Sequence, residues 1–123
     1  MRIRISGAEL DIMQYLWKRE DGAAFAELLT YFNETREKEW CKQTLNTYLL
    51  RLNNRGLITK EKRGSKTIYS PAMTELRYRQ LCAEEILNES YGGVLSNFLT
   101  ALAGRDKITK ADAQKIFDSI DKR

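Results

Sequence analysis

The stretch Cys41–Gly56, CKQTLNTYLLRLNNRG, decides the fold. Wound at 100° per residue, it gathers Leu45, Tyr48, Leu49 and Leu52 on one arc and Gln43, Thr44, Thr47, Arg51 and Asn54 on the opposite arc. The spacing predicts a helix from Cys41 or Lys42 to Asn54, stopped by Gly56, with an apolar back and a donor-rich front. Leu50 falls on the polar front, where nothing in the sequence accounts for it.

Downstream, Leu57–Lys62 and Lys66–Ser70 are rich in β-branched residues and flank Arg63-Gly64-Ser65, which predicts a hairpin ended by Pro71, the chain's one proline. Upstream, Phe25, Leu28, Leu29 and Phe32 lie at i, i+3, i+4 and i+7, the buried face of a short helix over about 25–32 whose start at Ala24 is poorly capped. Before it, Ser6-Gly7-Ala8-Glu9 has the form of a capping box, with Ile5 and Leu10 at the staple positions. A helix over about 7–19 follows, with Leu10, Met13, Leu16 and Trp17 on one stripe, closed by Asp21-Gly22. Three further helices are expected beyond the hairpin: about 74–88, broken by Gly92-Gly93; about 94–103, closed by Gly104; and one capped by Thr109, with Asp112 at its third position and the Ile108/Ala113 pair repeating the first helix's start.

The chain has 123 residues, 42% apolar and 31% charged, which is globular composition. No stretch approaches the roughly 18 apolar residues of a membrane span, and the N-terminus has no signal-peptide core, so a cytoplasmic location is expected. Cys41 and Cys82 are the only cysteines and there is no histidine. A zinc site of soft ligands cannot be assembled from them, the thiols are expected reduced, and no cofactor or metal is implied. Lacking histidine, and with neither a phosphate loop nor a paired-carboxylate motif, the chain is not expected to be an enzyme. Charge is placed unevenly. Between 42 and 66 stand Lys42, Arg51, Arg55, Lys60, Lys62, Arg63 and Lys66 against Glu61 alone, while the rest of the chain is slightly acidic. That is the footprint of a polyanion partner.

Three helices and a basic hairpin in about 70 residues are the order of a winged helix-turn-helix. The fold class is therefore mainly α with a small β-wing: a winged helix-turn-helix DNA-binding domain over 1–72 and a three-helix dimerisation domain over 73–123. A helix entering the major groove must be apolar behind and polar in front. On that reading Arg51 donates to guanine or phosphate, Thr44 and Thr47 offer hydroxyl and methyl groups, Gln43 and Asn46 pair with adenine, and Lys42 holds phosphate at the helix start. Lys60, Lys62, Arg63, Ser65 and Lys66 are expected wing contacts, mostly to phosphate. Trp17, Tyr31, Phe32 and Trp40 have the rings to stack on bases, but their spacing makes them core, with Trp40 immediately preceding the groove helix.

At these residues the chain resembles the penicillinase and methicillin-resistance repressors (BlaI/MecI-type winged-helix regulators) over nearly its whole length. The resemblance lies in Ser6-Gly7-Ala8-Glu9 leading to Met13 and Trp17, then Trp40, Thr44, Thr47, Arg51-Leu52, Arg55-Gly56-Leu57 and Tyr69-Ser70-Pro71. It implies a transcriptional repressor that binds inverted-repeat operator DNA upstream of antibiotic-resistance genes as a homodimer. It also implies derepression by proteolysis, triggered by a membrane-bound sensor, at an Asn-Phe bond that Asn97-Phe98 matches here. Phe98 can serve as dimer core as well. Cys41 and Lys42 depart from the serine and proline of the best-known members. The C-terminal cysteine cluster of a copper-responsive branch has only Cys82 as counterpart. A thiol at a helix start could also sense oxidants.

Three short helices with wide apolar faces bury too little alone, so a homodimer interface is expected over Leu95, Phe98, Leu99, Leu102, Ile116, Phe117 and Ile120. The competing reading is a ligand-sensing or protein-binding winged helix, for which DNA binding would depend only weakly on salt.

Overall fold

The computed structural model describes residues 3–92, 94–105 and 109–121, without the side chains of Ser90, Ala113, Ile116, Phe117, Ser119, Ile120 and Asp121. Ile108 and the side chains of Ala113, Ile116, Phe117 and Ile120, on which the second staple and part of the expected dimer face rest, lie outside the described residues. The elements are α1 (Gly7–Trp17), β1 (Ala23–Ala24), α2 (Phe25–Thr30), α3 (Lys42–Asn54), β2 (Ile58–Arg63), β3 (Lys66–Pro71), α4 (Glu75–Ser90), α5 (Leu95–Ala103) and α6 (Lys110–Asp121). The chain forms two compact units, Met1–Leu81 and Cys82–Arg123.

In the first unit the capping box forms as expected. The Glu9 amide donates to Ser6 Oγ at 3.2 Å, and the Ser6 amide donates to Glu9 Oε1 at 3.4 Å. This exchange draws Glu9 inside, where it is buried beside Ile12, Met13 and Leu16. The buried arc of α1 is therefore centred on Leu16 and includes Ile12, while Leu10 and Trp17 are half-buried at its edge. The helix ends earlier than the expected Arg19. Its last amides tighten to i−3 acceptors, Lys18 to Tyr15 and Arg19 to Leu16, and the Arg19 side chain turns to the Gly22 carbonyl.

The short second helix also differs from expectation. The α-helical hydrogen bonds stop at Thr30, and Tyr31–Thr35 is a π-turn closed by the Arg36 amide on the Tyr31 carbonyl. That extra residue per turn accompanies close ring contacts. Tyr31 meets Tyr15 with centroids 4.3 Å apart, and Phe32 is fully buried against Trp40 at 4.8 Å. Trp40 in turn meets Tyr48 of α3 at 5.2 Å. Trp17 packs on Tyr78 and donates its indole hydrogen to the Met73 carbonyl. All four aromatics whose spacing placed them in the core are thus engaged within the fold.

Behind α3 lie Leu45, Leu49 and Leu52, all buried. The helix closes with a Schellman motif: the Leu57 amide reaches the Leu52 carbonyl, the Gly56 amide reaches that of Asn53, and Gly56 adopts φ +75°. Leu52 and Leu57, which this motif brings together, are both fully buried. β2 leaves directly from the cap. It pairs antiparallel with β3 from Ile58↔Pro71 to Arg63↔Lys66, around a two-residue Gly64-Ser65 turn one residue shorter than the expected loop. Only Gly64 has positive φ there, the sign pattern of a type II′ hairpin. β1, which no sequence pattern announces, pairs with the other edge of β3 through Ala23↔Tyr69 and Ala24↔Ile68, giving the order β1-β3-β2.

In the second unit, Thr109 and Asp112 exchange hydrogen bonds as a capping box for α6. The ring of Tyr91 meets Phe98 at 5.2 Å. No residue of α5 is buried.

Candidate nucleic-acid interface

The outward face of α3 is built by subtraction. Three leucines hold the back of the helix in the core, and Gln43, Asn46, Thr47, Leu50, Arg51 and Asn54 are left exposed on the front, with Thr44 half-buried at one flank. None of the side chains expected to read a duplex is packed inside the first unit. The helix carries no carboxylate, so nothing on this face repels a phosphate.

The threonine hydroxyls are less free than spacing implied. Thr47 Oγ1 donates back to the Gln43 carbonyl at 2.9 Å, which leaves the residue a methyl group and an acceptor lone pair for any partner. Thr44 Oγ1 lies 3.2 Å from Cys41 Sγ. Arg55, counted among the cations, donates to the Arg4 carbonyl at 2.7 Å and ties the end of α3 to the N-terminal segment.

The start of α3 is fixed by an amide clamp that the sequence did not reveal. Asn33 Nδ2 donates to the Trp40 carbonyl at 2.8 Å, and the Trp40 amide donates to Asn33 Oδ1 at 2.9 Å. The loop between them leans on α1, where Arg36 and Lys38 pair with Asp11 at 3.8 and 3.7 Å. Cys41 is then the N-cap, extended at φ −82°, ψ 169° and exposed. The Thr44 hydroxyl, followed by the amides of Thr44 and Gln43, holds its thiol below the ordinary cysteine value. At a given pH below that value more thiolate is present, so alkylation by iodoacetamide is expected to rise at lower pH for Cys41 than for an unstructured cysteine peptide. Thr44→Val is expected to move the profile back upward; peptide mass spectrometry across pH 6–10 would contradict this by finding the two profiles superimposed.

The hairpin projects from the unit. Beyond Ile58, every residue of β2 is exposed, as are Gly64, Ser65 and Lys66. The register places Lys60 and Lys62 on one face of the ribbon, and Glu61, Arg63 and Lys66 on the other. Glu61 Oε2 lies 3.4 Å from Arg63. Both partners are more than half exposed, so the pair adds little stability, but it offsets one positive charge on its face. Such an arrangement, a polar acid-free helix followed at once by a cationic ribbon, can clamp a polyanion of groove dimensions. Among the described residues no cluster of histidine, cysteine, aspartate or glutamate could hold a metal ion, and no helix is long and apolar enough to cross a membrane.

The sequence profile of the penicillinase repressor family matches residues 5–122. A penicillinase repressor of Bacillus licheniformis is 25% identical over 118 residues, covering 96% of this chain and 90% of that protein. Two solution structures resemble the fold, each covering 58% of this chain and 84% of the other. The DNA-binding domain of the repressor BlaI superimposes with a TM-score of 0.51 at 32% identity. The monomeric form of Bacillus licheniformis BlaI, in complex with the blaP half-operator, gives 0.50 at 30% identity.

Proposed function

Because this chain belongs to the penicillinase repressor family, it is a DNA-binding transcriptional repressor and not an enzyme, and we propose that it binds an inverted-repeat operator as a homodimer. The observation that carries the reading is the exposed front of α3, free of acid and polar except at Leu50, with the cationic wing directly after it. The half-operator bound by the similar BlaI supports it. On this proposal Arg51, Gln43 and Asn46 reach base edges. Lys42, Lys60, Lys62, Arg63, Ser65 and Lys66 meet phosphate, and Thr44 and Thr47 lie against the backbone or thymine.

The test is a gel shift on duplexes recovered by genomic footprinting. Arg51→Ala is expected to weaken binding by about 1–3 kcal/mol and to relax base preference at one position of each half-site. Affinity equal to wild type would take α3 out of the groove.

The homodimer reading is supported by α5 and its N-cap, whose apolar residues stay open: Val94 is 46% exposed, Leu95 39%, and Phe98, Leu99 and Leu102 are only half-buried. A unit of about 40 residues is too small to be stable on one such helix layer, and a second copy supplies the missing partner. Sedimentation is expected to give a dimer at micromolar concentration, and a monomer there would refute it.

For derepression we propose cleavage of Asn97-Phe98, in a cytoplasmic repressor of antibiotic-resistance genes whose protease is coupled to a sensor. Asn97 is exposed, yet the bond lies inside α5, whose N-cap Val94 offers no side-chain hydrogen bond. A protease takes an extended strand, so this weakly capped helix must open first. Mass spectrometry of the chain from induced cells is expected to show two fragments parted at that bond.

A further inference from the structure

Leu50 is the residue of α3 that neither the core nor the polar front explains. It is 53% exposed, although the other leucines of the helix, Leu45, Leu49 and Leu52, are at most 2% exposed. A single exposed leucine is ordinary on a protein surface; the position of this one is what matters. At 100° per residue Gln43, Thr47, Leu50 and Asn54 follow one another at i, i+4, i+7 and i+11 and form the line farthest from the buried leucines. Thr44 and Arg51 lie toward the flank that carries Tyr48. The middle of the groove-facing line is therefore apolar, because Thr47 has turned its hydroxyl hydrogen back to the Gln43 carbonyl. On either side stand the amides of Gln43 and Asn54.

The major groove carries one apolar feature, the C5-methyl group of thymine. We propose that Leu50, with the methyl group of Thr47 one turn before it, reads thymine C5-methyl groups and sets part of the operator's base preference. The inference rests on α3 being the helix that enters the groove. Excess positive charge favours a duplex over a protein as the covering surface: the helix itself carries Lys42 and Arg51 and no carboxylate, and the wing that follows it sets Lys60, Lys62, Arg63 and Lys66 against Glu61 alone.

The experiment uses the full chain and a pool of random duplexes. Sequences enriched by the wild type are remade with each thymine replaced in turn by uracil, which removes the methyl group and keeps the pairing. Wild type is expected to lose about 3- to 10-fold in affinity at one or two thymines of each half-site, the effect of uncovering roughly one methyl group. Leu50→Ala is expected to be indifferent to uracil at those positions and to bind the thymine duplex about as the wild type binds the uracil one. Because the side chain is exposed, its melting temperature should match wild type. If no uracil replacement matters to the wild type, or Leu50→Ala keeps the full response, Leu50 does not read thymine. If the pool shows no enrichment, or Arg51→Ala enriches the same sequences as strongly as wild type, the groove assignment of α3 fails and this inference with it.

Discussion

Gly22→Ala is expected to destabilise the first unit by about 2–5 kcal/mol, far more than any other glycine-to-alanine change in it. Gly22 holds φ +73°, where a Cβ atom costs about 1–2 kcal/mol of backbone strain. Here the strain is joined by collision. An added Cβ would stand 2.5 Å from Ser70 Oγ, 2.6 Å from the Tyr69 carbonyl oxygen and 2.9 Å from Ile68 Cγ2. The backbone oxygen cannot swing aside, since Tyr69 is held in register with both Ala23 and Lys60, so β1 must move away from β3 and overpacking adds about 1–3 kcal/mol. Gly64 is the control. It has φ +64° at the tip of the wing with open space around it, so Gly64→Ala should cost only the strain. Urea titrations of both variants decide the matter. Equal losses would mean that the approach of Gly22 to β3 is slack. The consequence for function is direct: β3 is the strand on which the wing hangs, and a variant that loses β1 should lose DNA affinity at temperatures the wild type tolerates.

The elements visible in the sequence were those whose partners are near in the chain. The Ser6–Glu9 capping box, the Thr109–Asp112 box and the Schellman turn at Gly56 each close within a few residues, and each appears where local chemistry placed it. The two arcs of α3 were likewise legible, because one helix period separates three buried leucines from the exposed front. What stayed hidden depends on distant partners. β1 is two alanines long and exists only because Tyr69 and Ile68 come to meet it. The π-turn at Tyr31 accompanies ring packing on the distant Tyr15, and the clamp of Asn33 on Trp40 closes a loop that no periodicity announces. Even in α1, the stripe read from Leu10 to Trp17 was rotated from the true one. The buried arc runs through Glu9, a residue that looks like surface until one of its carboxylate oxygens, Oε1, is seen to accept from Ser6. In the interface itself, side-chain types were readable but their commitments were not, as the two threonine hydroxyls illustrate.

Removing the wing's uncompensated charge should have the largest effect on DNA affinity. In Lys60→Ala/Lys62→Ala/Lys66→Ala the slope of log affinity against log salt is expected to fall by about 2–3, close to 0.9 for each phosphate that a lysine no longer neutralises. Near 0.15 M salt that corresponds to a weakening on the order of 100-fold. Arg63 is left in place because Glu61 already faces it at 3.4 Å, so its charge contributes less to the field that a duplex meets. The same reasoning makes Glu61→Gln a small gain, with repulsion removed and Arg63 released. All three lysines are exposed or lie at the exposed tip of the ribbon, and none forms an ion pair among the described residues, so the fold should melt as wild type does. Phosphate contacts carry no base information, so the weakening should be uniform across operator and unrelated duplexes, whereas Arg51→Ala should narrow the gap between them. This contrast separates the two parts of the interface, with the ribbon holding the duplex and the helix choosing the sequence. An unchanged salt slope in the triple variant would mean that the wing does not touch DNA, and would favour instead a winged helix whose ribbon meets another protein.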